Sequence, residues 1–201
     1  MTPIREAQKN LTRDRIMDAA IELMSEGKPD LLTIAAVAER AGVTHRTIYR
    51  HFKSREALLE ALWPRMQARV QSKGFPRTAD ALIASPAGLF PRFDDHANLV
   101  RASAFSAAGL EIRLRANAER QAAMLSCVRD ALPDLDDAVS RRRAAIVQLI
   151  NSAYGWSVLR DFWDLDGQQS GLAAAEAIAI LLGRMPPASA DIPHYLEERS
   201  E

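Results

Sequence analysis

Residues 33–59, TIAAVAERAGVTHRTIYRHFKSREALL, decide how this chain folds. Thr33 is of the type that caps a helix N-terminus, and Ile34, Val37 and Ala38 follow it at helical spacing. Ala41-Gly42-Val43 breaks that pattern, with Gly42 able to adopt the left-handed conformation that ends a helix and permits a tight turn. Thr44 caps a second helix whose inward residues, Ile48 and Phe52, lie one turn apart. The outward residues of that helix are His45, Arg46, Tyr49 and Arg50, all hydrogen-bond donors. Two short helices, a glycine turn and a polar second helix form a helix-turn-helix, the unit that places a recognition helix in the DNA major groove.

The run continues into a helix starting at Arg55, with Ser54 as its cap. It carries Leu58, Leu59, Leu62, Trp63 and Met66 at helical spacing, with Pro64 inside the pattern as the expected point of bending. Upstream, residues 1–11 read as a flexible basic arm. Thr12 is the expected cap of a first helix, with Ile16, Ala19, Ala20 and Leu23 on its apolar face and Gly27 as its stop before a Lys28-Pro29-Asp30 loop.

With Thr47–Phe52, TIYRHF, followed by Ser54–Leu59, SREALL, the segment over about residues 12–62 resembles the N-terminal domain of the TetR family of bacterial transcriptional repressors. Beyond about residue 62 the resemblance weakens. Where the family often has a small residue, this chain has Arg46, so the operators of relatives do not carry over.

At 201 residues the chain has room for one large or two small domains, and 48% apolar with 26% charged residues is ordinary for a packed protein. No run approaches the roughly 20 apolar residues needed to span a bilayer, and the first ten residues do not read as a signal peptide. A single cysteine, Cys127, excludes an internal disulfide framework and fits a cytoplasmic location. Net charge is zero, yet residues 1–75 hold 13 Lys+Arg against 9 Asp+Glu and the remainder 13 against 17. The N-terminal part is thus basic by four charges and the rest acidic by four.

After Lys73-Gly74-Phe75-Pro76 the pattern is helical throughout, with segments expected near 78–94, 97–107, 109–131, 137–162 and 171–183. The expected fold is therefore all-α, about nine helices, divided into a helix-turn-helix domain over 1–74 and a helical domain over 75–201. Residues 144–163 are apolar around most of the helix, and 172–182, LAAAEAIAILL, on nearly every side. Helices apolar all round must be covered all round, which points to a homodimer through the helices near 137–162 and 171–183, a four-helix bundle also typical of the resembled family.

For the DNA side, Thr33, Thr44, His45, Arg46, Thr47, Tyr49, Arg50, His51, Lys53 and Arg55 are the expected contacts. Arg46 is the candidate for direct base readout because its fork matches guanine O6 and N7. His51, Lys53 and Arg55 are expected on phosphates. The resemblance further implies a small-molecule pocket in the second domain and release from DNA when it fills. Trp63, Met66, Phe90, Phe93, Phe105, Met124, Asn151 and Tyr154 are its candidate lining, suited to a largely apolar effector.

No catalytic signature is present: no H-E-x-x-H, G-x-S-x-G, P-loop or paired-cysteine motif. The four histidines show no metal-ligand spacing, and nothing calls for a cofactor. The reading from sequence is a DNA-binding regulator, not an enzyme, with double-stranded DNA, a small effector and a second copy as partners. The alternative is an all-α small-molecule-binding protein or enzyme in which the helix-turn-helix only packs.

Overall fold

The computed structural model describes residues 3–26 and 32–186. Among them are eleven helices and no strand. In chain order they are α1 (Pro3–Ser25), α2 (Ile34–Arg40), α3 (His45–His51), α4 (Arg55–Arg69), α5 (Ala79–Asp95) and α6 (Ala97–Phe105), then α7 (Ala107–Arg115), α8 (Asn117–Ala131), α9 (Asp137–Ile150), α10 (Ala153–Trp163) and α11 (Gly167–Leu181).

The all-α expectation holds, but the expected nine helices become eleven because two long segments are each cut. The segment expected over 109–131 is split at Ala116, where α7 ends and α8 starts. Ser106 already starts α7 two residues early, its Oγ accepting from the Gly109 amide at 2.9 Å. The segment expected over 137–162 is split at Asn151 and Ser152. Asn151 ends α9, and the Ser152 hydroxyl accepts from the Tyr154 and Gly155 amides at the head of α10. Continuous apolar periodicity masked both breaks; at the second the polar residue that makes it, Ser152, is an ordinary cap, whereas Ala116 gives no such signal.

The N-terminus also differs from expectation. Instead of a flexible arm through residue 11, α1 is helical from Pro3, and Thr12 lies inside it, its hydroxyl donating to the Gln8 carbonyl at 3.0 Å rather than capping. Proline suits a first helical turn, where its missing N–H has no intrahelical partner to lose. The expected stop at Gly27, the Lys28-Pro29-Asp30 loop, His194 and the tail from Pro187 lie outside the described residues. α4 runs through Pro64, and α5 through both Pro86 and Pro91.

The chain forms two compact units. One comprises the chain through Lys73 with His96–Ala118, the other Gly74–Asp95 with the chain from Glu119. In the first, α6 and α7 join the helix-turn-helix rather than the later helices: Leu99, Ala102, Ala108 and Ile112 share a core with Ile16, Val37, Ile48, Phe52, Leu58 and Leu62. Arg65 of α4 forms a two-point pair with Asp18 of α1, with nitrogen–oxygen distances of 3.0 and 2.6 Å. Half-exposed pairs of this kind orient helices more than they stabilise them.

In the second unit α5 and α11 pack closely. Gly167 and Gly171, one turn apart, set bare backbone against α5; a Cβ there would stand 2.5 Å from the Phe90 carbonyl oxygen and 2.8 Å from that of Pro86. Leu82, Met124, Cys127, Val128, Val147, Ile178 and Leu182 form the adjoining core. Asp94, at the end of α5, ties three helices together. It accepts from the indole Nε1–H of fully buried Trp156 at 2.8 Å and from the Gly167 amide at 2.7 Å, and pairs with Arg160 at 2.5 Å.

Candidate nucleic-acid interface

The turn between α2 and α3 is built by backbone bonds that only a left-handed residue allows. Gly42 has φ +61°, its amide bonds to the Glu39 carbonyl at 3.1 Å, and the Val43 amide reaches the Ala38 carbonyl at 2.9 Å. That paired arrangement ends α2 with its last carbonyls satisfied. Three side-chain caps then set the helix starts. Thr33 accepts from the Ala36 amide, Thr44 from the Thr47 amide and Ser54 from the Ala57 amide, each at 3.2 Å.

α3 presents two faces. Ile48 is fully buried and Phe52, just past its end, is 2% exposed. On the other side His45, Arg46, Tyr49 and Arg50 stand in solvent, at offsets of one, four and five residues that share one helical face. Thr44 is exposed and Thr47 half-buried, their hydroxyls 3.0 Å apart, so the pair fixes the helix start while keeping hydroxyl groups at the surface. Thr33 and Lys53 are exposed as well. An outward row of one guanidinium pair, an imidazole and a phenol can hydrogen-bond to base edges and phosphates alike.

Two expected phosphate contacts are placed differently from that row. His51 is half-buried, and both its ring nitrogens are buried without a partner among the described residues. Burial, then the cations Arg50, Lys9 and Arg13, hold its pKa below the ordinary histidine value and keep it neutral. Arg55 is paired with Glu111 of α7 at 2.9 Å. Neither is an unengaged cation on the surface.

The surroundings of His51 reveal residues that the sequence reading left out. Arg13 donates to the His51 carbonyl at 3.0 Å and lies 4.1 Å over the Phe52 ring. Arg5, Lys9 and Arg13 recur every four residues along α1, which places them on one face running from its exposed start to the end of α3. The signal was present as spacing, but it means something only if residues 3–11 are helical.

The candidate pocket residues divide between the two units. Met66, in the first, is buried, Trp63 is half-buried, and Phe105 is 61% exposed at the end of α6. In the second, Phe90, Phe93 and Met124 are core, with Phe93 stacked on Phe90 and edge-on to Trp156. Tyr154 is half-buried. Asn151 donates from Nδ2 to the Ser85 hydroxyl at 3.3 Å, while its Oδ1 and the Ser157 hydroxyl in α10 are buried without a partner among the described residues. Trp156 is therefore a core residue, and Trp163 is 71% exposed at the end of α10.

Other polar clusters have structural roles. Asp136 caps α9, accepting from the Ala138 and Val139 amides. Cys127 is buried with its thiol directed at the Pro76 carbonyl, and burial pushes its pKa up to about 11, which leaves almost no thiolate at neutral pH. Among the described residues no group of three or more His, Cys, Asp or Glu is arranged to hold a metal ion, and no helix is long and apolar enough to cross a membrane.

Comparison with known proteins converges on the same segment. Residues 16–62 match the family model of bacterial regulatory proteins, tetR family. Over 71 residues the chain is 35% identical to the tetracycline repressor protein class D of Escherichia coli, which covers 35% of this chain and 33% of that one. Over 68 residues it is 43% identical to the HTH-type transcriptional repressor KstR of Rhodococcus jostii (strain RHA1), covering 34% and 32%. The chain thus spans about a third of the length of these relatives. In structure it is similar to a TetR transcriptional regulator from Rhodococcus sp. RHA1, with a TM-score of 0.53 at 18% identity over 86% of this chain and 96% of that one, which is a likeness of fold.

Proposed function

We propose that the chain, whose residues 16–62 match the family model of bacterial regulatory proteins, tetR family, is a sequence-specific DNA-binding regulator of that family, acting as a homodimeric repressor that a small, largely apolar effector releases from its operator. The observation that carries this reading is α3: a capped, seven-residue helix anchored by Ile48 and Phe52, with His45, Arg46, Tyr49 and Arg50 all outward. Arg46 reads a base edge; Thr33, Thr44, Arg50 and Lys53 hold phosphates, joined by Arg5 and Lys9 of α1. Phosphate contacts give affinity and base contacts give preference.

Two copies of α3 on one side of a duplex fit major grooves roughly 34–36 Å apart, so the operator is a near-palindrome. For the dimer we propose the outer faces of α9, α10 and α11, on which Ile146, Leu149, Val158, Phe162, Trp163 and Ile180 are all exposed, 80% for Phe162 and 71% for Trp163. Apolar exposure on this scale is what a partner surface removes from water. The chain through residue 74 would be the DNA-binding part and residues 75–201 the effector-binding and dimerising part, with Phe90, Phe93, Met124, Asn151 and Tyr154 nearest the effector. Release requires the effector to bind the DNA-incompetent state more tightly, and DNA then weakens the effector by the same factor.

The test is sedimentation and DNA binding of two variants. Phe162→Ser with Trp163→Ser should give a monomer that binds single half-sites weakly. Arg46→Ala with Tyr49→Ala should remain a dimer and lose sequence preference. A double serine variant that stays dimeric would remove α10 from the interface, and an α3 variant that keeps its preference would remove α3 from base readout.

A further inference from the structure

Arg55 opens α4 just after the recognition helix, where the capped helix start attracts anions. Its guanidinium is not waiting for one. A single nitrogen, Nη1, donates to both oxygens of Glu111, at 3.1 and 2.9 Å, and Arg115 Nη2 reaches the same carboxylate at 3.3 Å from one turn along α7. Nη2 and Nε of Arg55 have no partner among the described residues. Arg55 and Glu111 are each 38% exposed, so water and a phosphate can both reach the pair. All three residues belong to the same compact unit, whose α7 packs on α4.

We propose that Glu111 is a built-in competitor for DNA phosphate at Arg55, through which α7 sets the strength of the DNA contact. The proposal rests on the DNA-binding reading of α3. A phosphate approaching the unoccupied side of Arg55 meets a carboxylate already neutralising it; for a full contact, Nη1 must leave Glu111 or the two anions must share one guanidinium. Arg115 lowers the cost of the exchange, since it keeps Glu111 paired when Arg55 turns away. Any shift of α7 that separates Glu111 from Arg55 releases the brake, and any shift that tightens the pair applies it. The affinity of the contact thereby depends on a helix that need not touch DNA.

The test uses the full chain and a random-sequence duplex, followed by fluorescence anisotropy over a range of salt. Glu111→Gln should tighten binding about fivefold for each protomer on the duplex, the effect of one unit charge at roughly 4 Å in water. It should also steepen the dependence of log K on log salt by about one phosphate's worth, roughly 0.9, for each protomer on the duplex. Glu111→Ala should tighten it too, which guards against a folding defect peculiar to one variant. In an Arg55→Gln background, Glu111→Gln should change little. Unchanged or weakened binding by the single variants, or equal tightening without Arg55, overturns the proposal. If no form binds DNA, it is the reading of α3 that fails. The Arg55 side-chain Nε–H resonance, titrated with inorganic phosphate, then decides: a saturable shift in Glu111→Gln absent from the parent supports the competition, and its absence refutes it.

Discussion

Replacing Asp94 should destabilise the second unit more than any ion-pair count suggests. Its two oxygens serve three donors on two other helices: the Trp156 indole in α10, the Gly167 amide that begins α11, and Arg160. Trp156 is fully buried, so in Asp94→Ala its Nε1–H loses its acceptor where water cannot easily replace it. A hydrogen bond to a charged group contributes about 1.5–3 kcal/mol, and the two N–H bonds are of that kind. The Arg160 pair adds little, because the arginine is 39% exposed and solvent screens it; about 0.5 kcal/mol is generous. The bonds share one carboxylate and do not add fully, so we expect a loss of about 3–5 kcal/mol for Asp94→Ala. Asp94→Asn keeps one acceptor oxygen but turns an NH2 toward a donor, for a loss of about 2 kcal/mol. Arg160→Gln should cost less than about 1 kcal/mol. The assay is urea unfolding by tryptophan fluorescence with Trp63→Phe in every protein, so that Trp156 and Trp163 report on this unit. Asp94→Ala within about 0.5 kcal/mol of its parent, or Arg160→Gln as damaging as Asp94→Ala, would refute the reasoning by placing the energy elsewhere.

Further outcomes follow from the same geometry. Arg46→Ala should cost about 1–3 kcal/mol on the operator and relax preference at one base position; equal losses on scrambled DNA would make Arg46 a phosphate contact. Lys9→Gln should weaken binding to all sequences alike and lower the salt slope by about 0.9 for each protomer on the duplex, measured by anisotropy, whereas an unchanged slope would remove α1 from the interface. Gly88→Ala, whose Cβ meets nothing within 4 Å, should stabilise α5 by up to about 1 kcal/mol, and Gly171→Ala, whose Cβ would sit 2.8 Å from the Pro86 carbonyl oxygen, should destabilise by about 1–3 kcal/mol; urea midpoints moving the same way contradict the packing of α5 on α11. Because burial and its neighbouring cations lower the pKa of His51 from 6.5, the unfolded chain takes up a proton that the folded chain resists. Its stabilising share is complete above about pH 6.5 and is lost as pH falls toward the lowered folded value, so His51→Gln should flatten that part of the dependence; parallel midpoint curves for variant and parent would exclude it.

What the sequence disclosed depended on how local each signal was. The helix-turn-helix was legible because its caps and its glycine act within three or four residues. Thr33, Thr44 and Ser54 accept from amides three positions on, and Gly42 ends α2 through bonds to residues 38 and 39. The inward positions of Ile48 and Phe52 followed from helical spacing alone. The cuts at Ala116 and Asn151-Ser152 were hidden because apolar residues continue in period across them, and one serine or asparagine is weak evidence against a long helix. The start of α1 was misread for the opposite reason: a polar, basic stretch with no apolar face does not announce a helix. Pairings distant in sequence left no local trace. Nothing near Arg55 points to Glu111, 56 residues later, and nothing near Asp94 points to Trp156 or Gly167, 62 and 73 residues later. These contacts decide which cations stay available at the surface and what holds α11 in place.

The central claim is that α3 reads a DNA sequence. Its most direct test is selection of genomic DNA fragments by the purified protein at two salt concentrations, followed by sequencing. The account predicts an enriched near-palindrome with half-sites about one helical turn apart, retained at low salt and lost as salt rises. Recovery of fragments with no shared motif at either concentration, by a protein shown to be folded and free of bound small molecules, would contradict it.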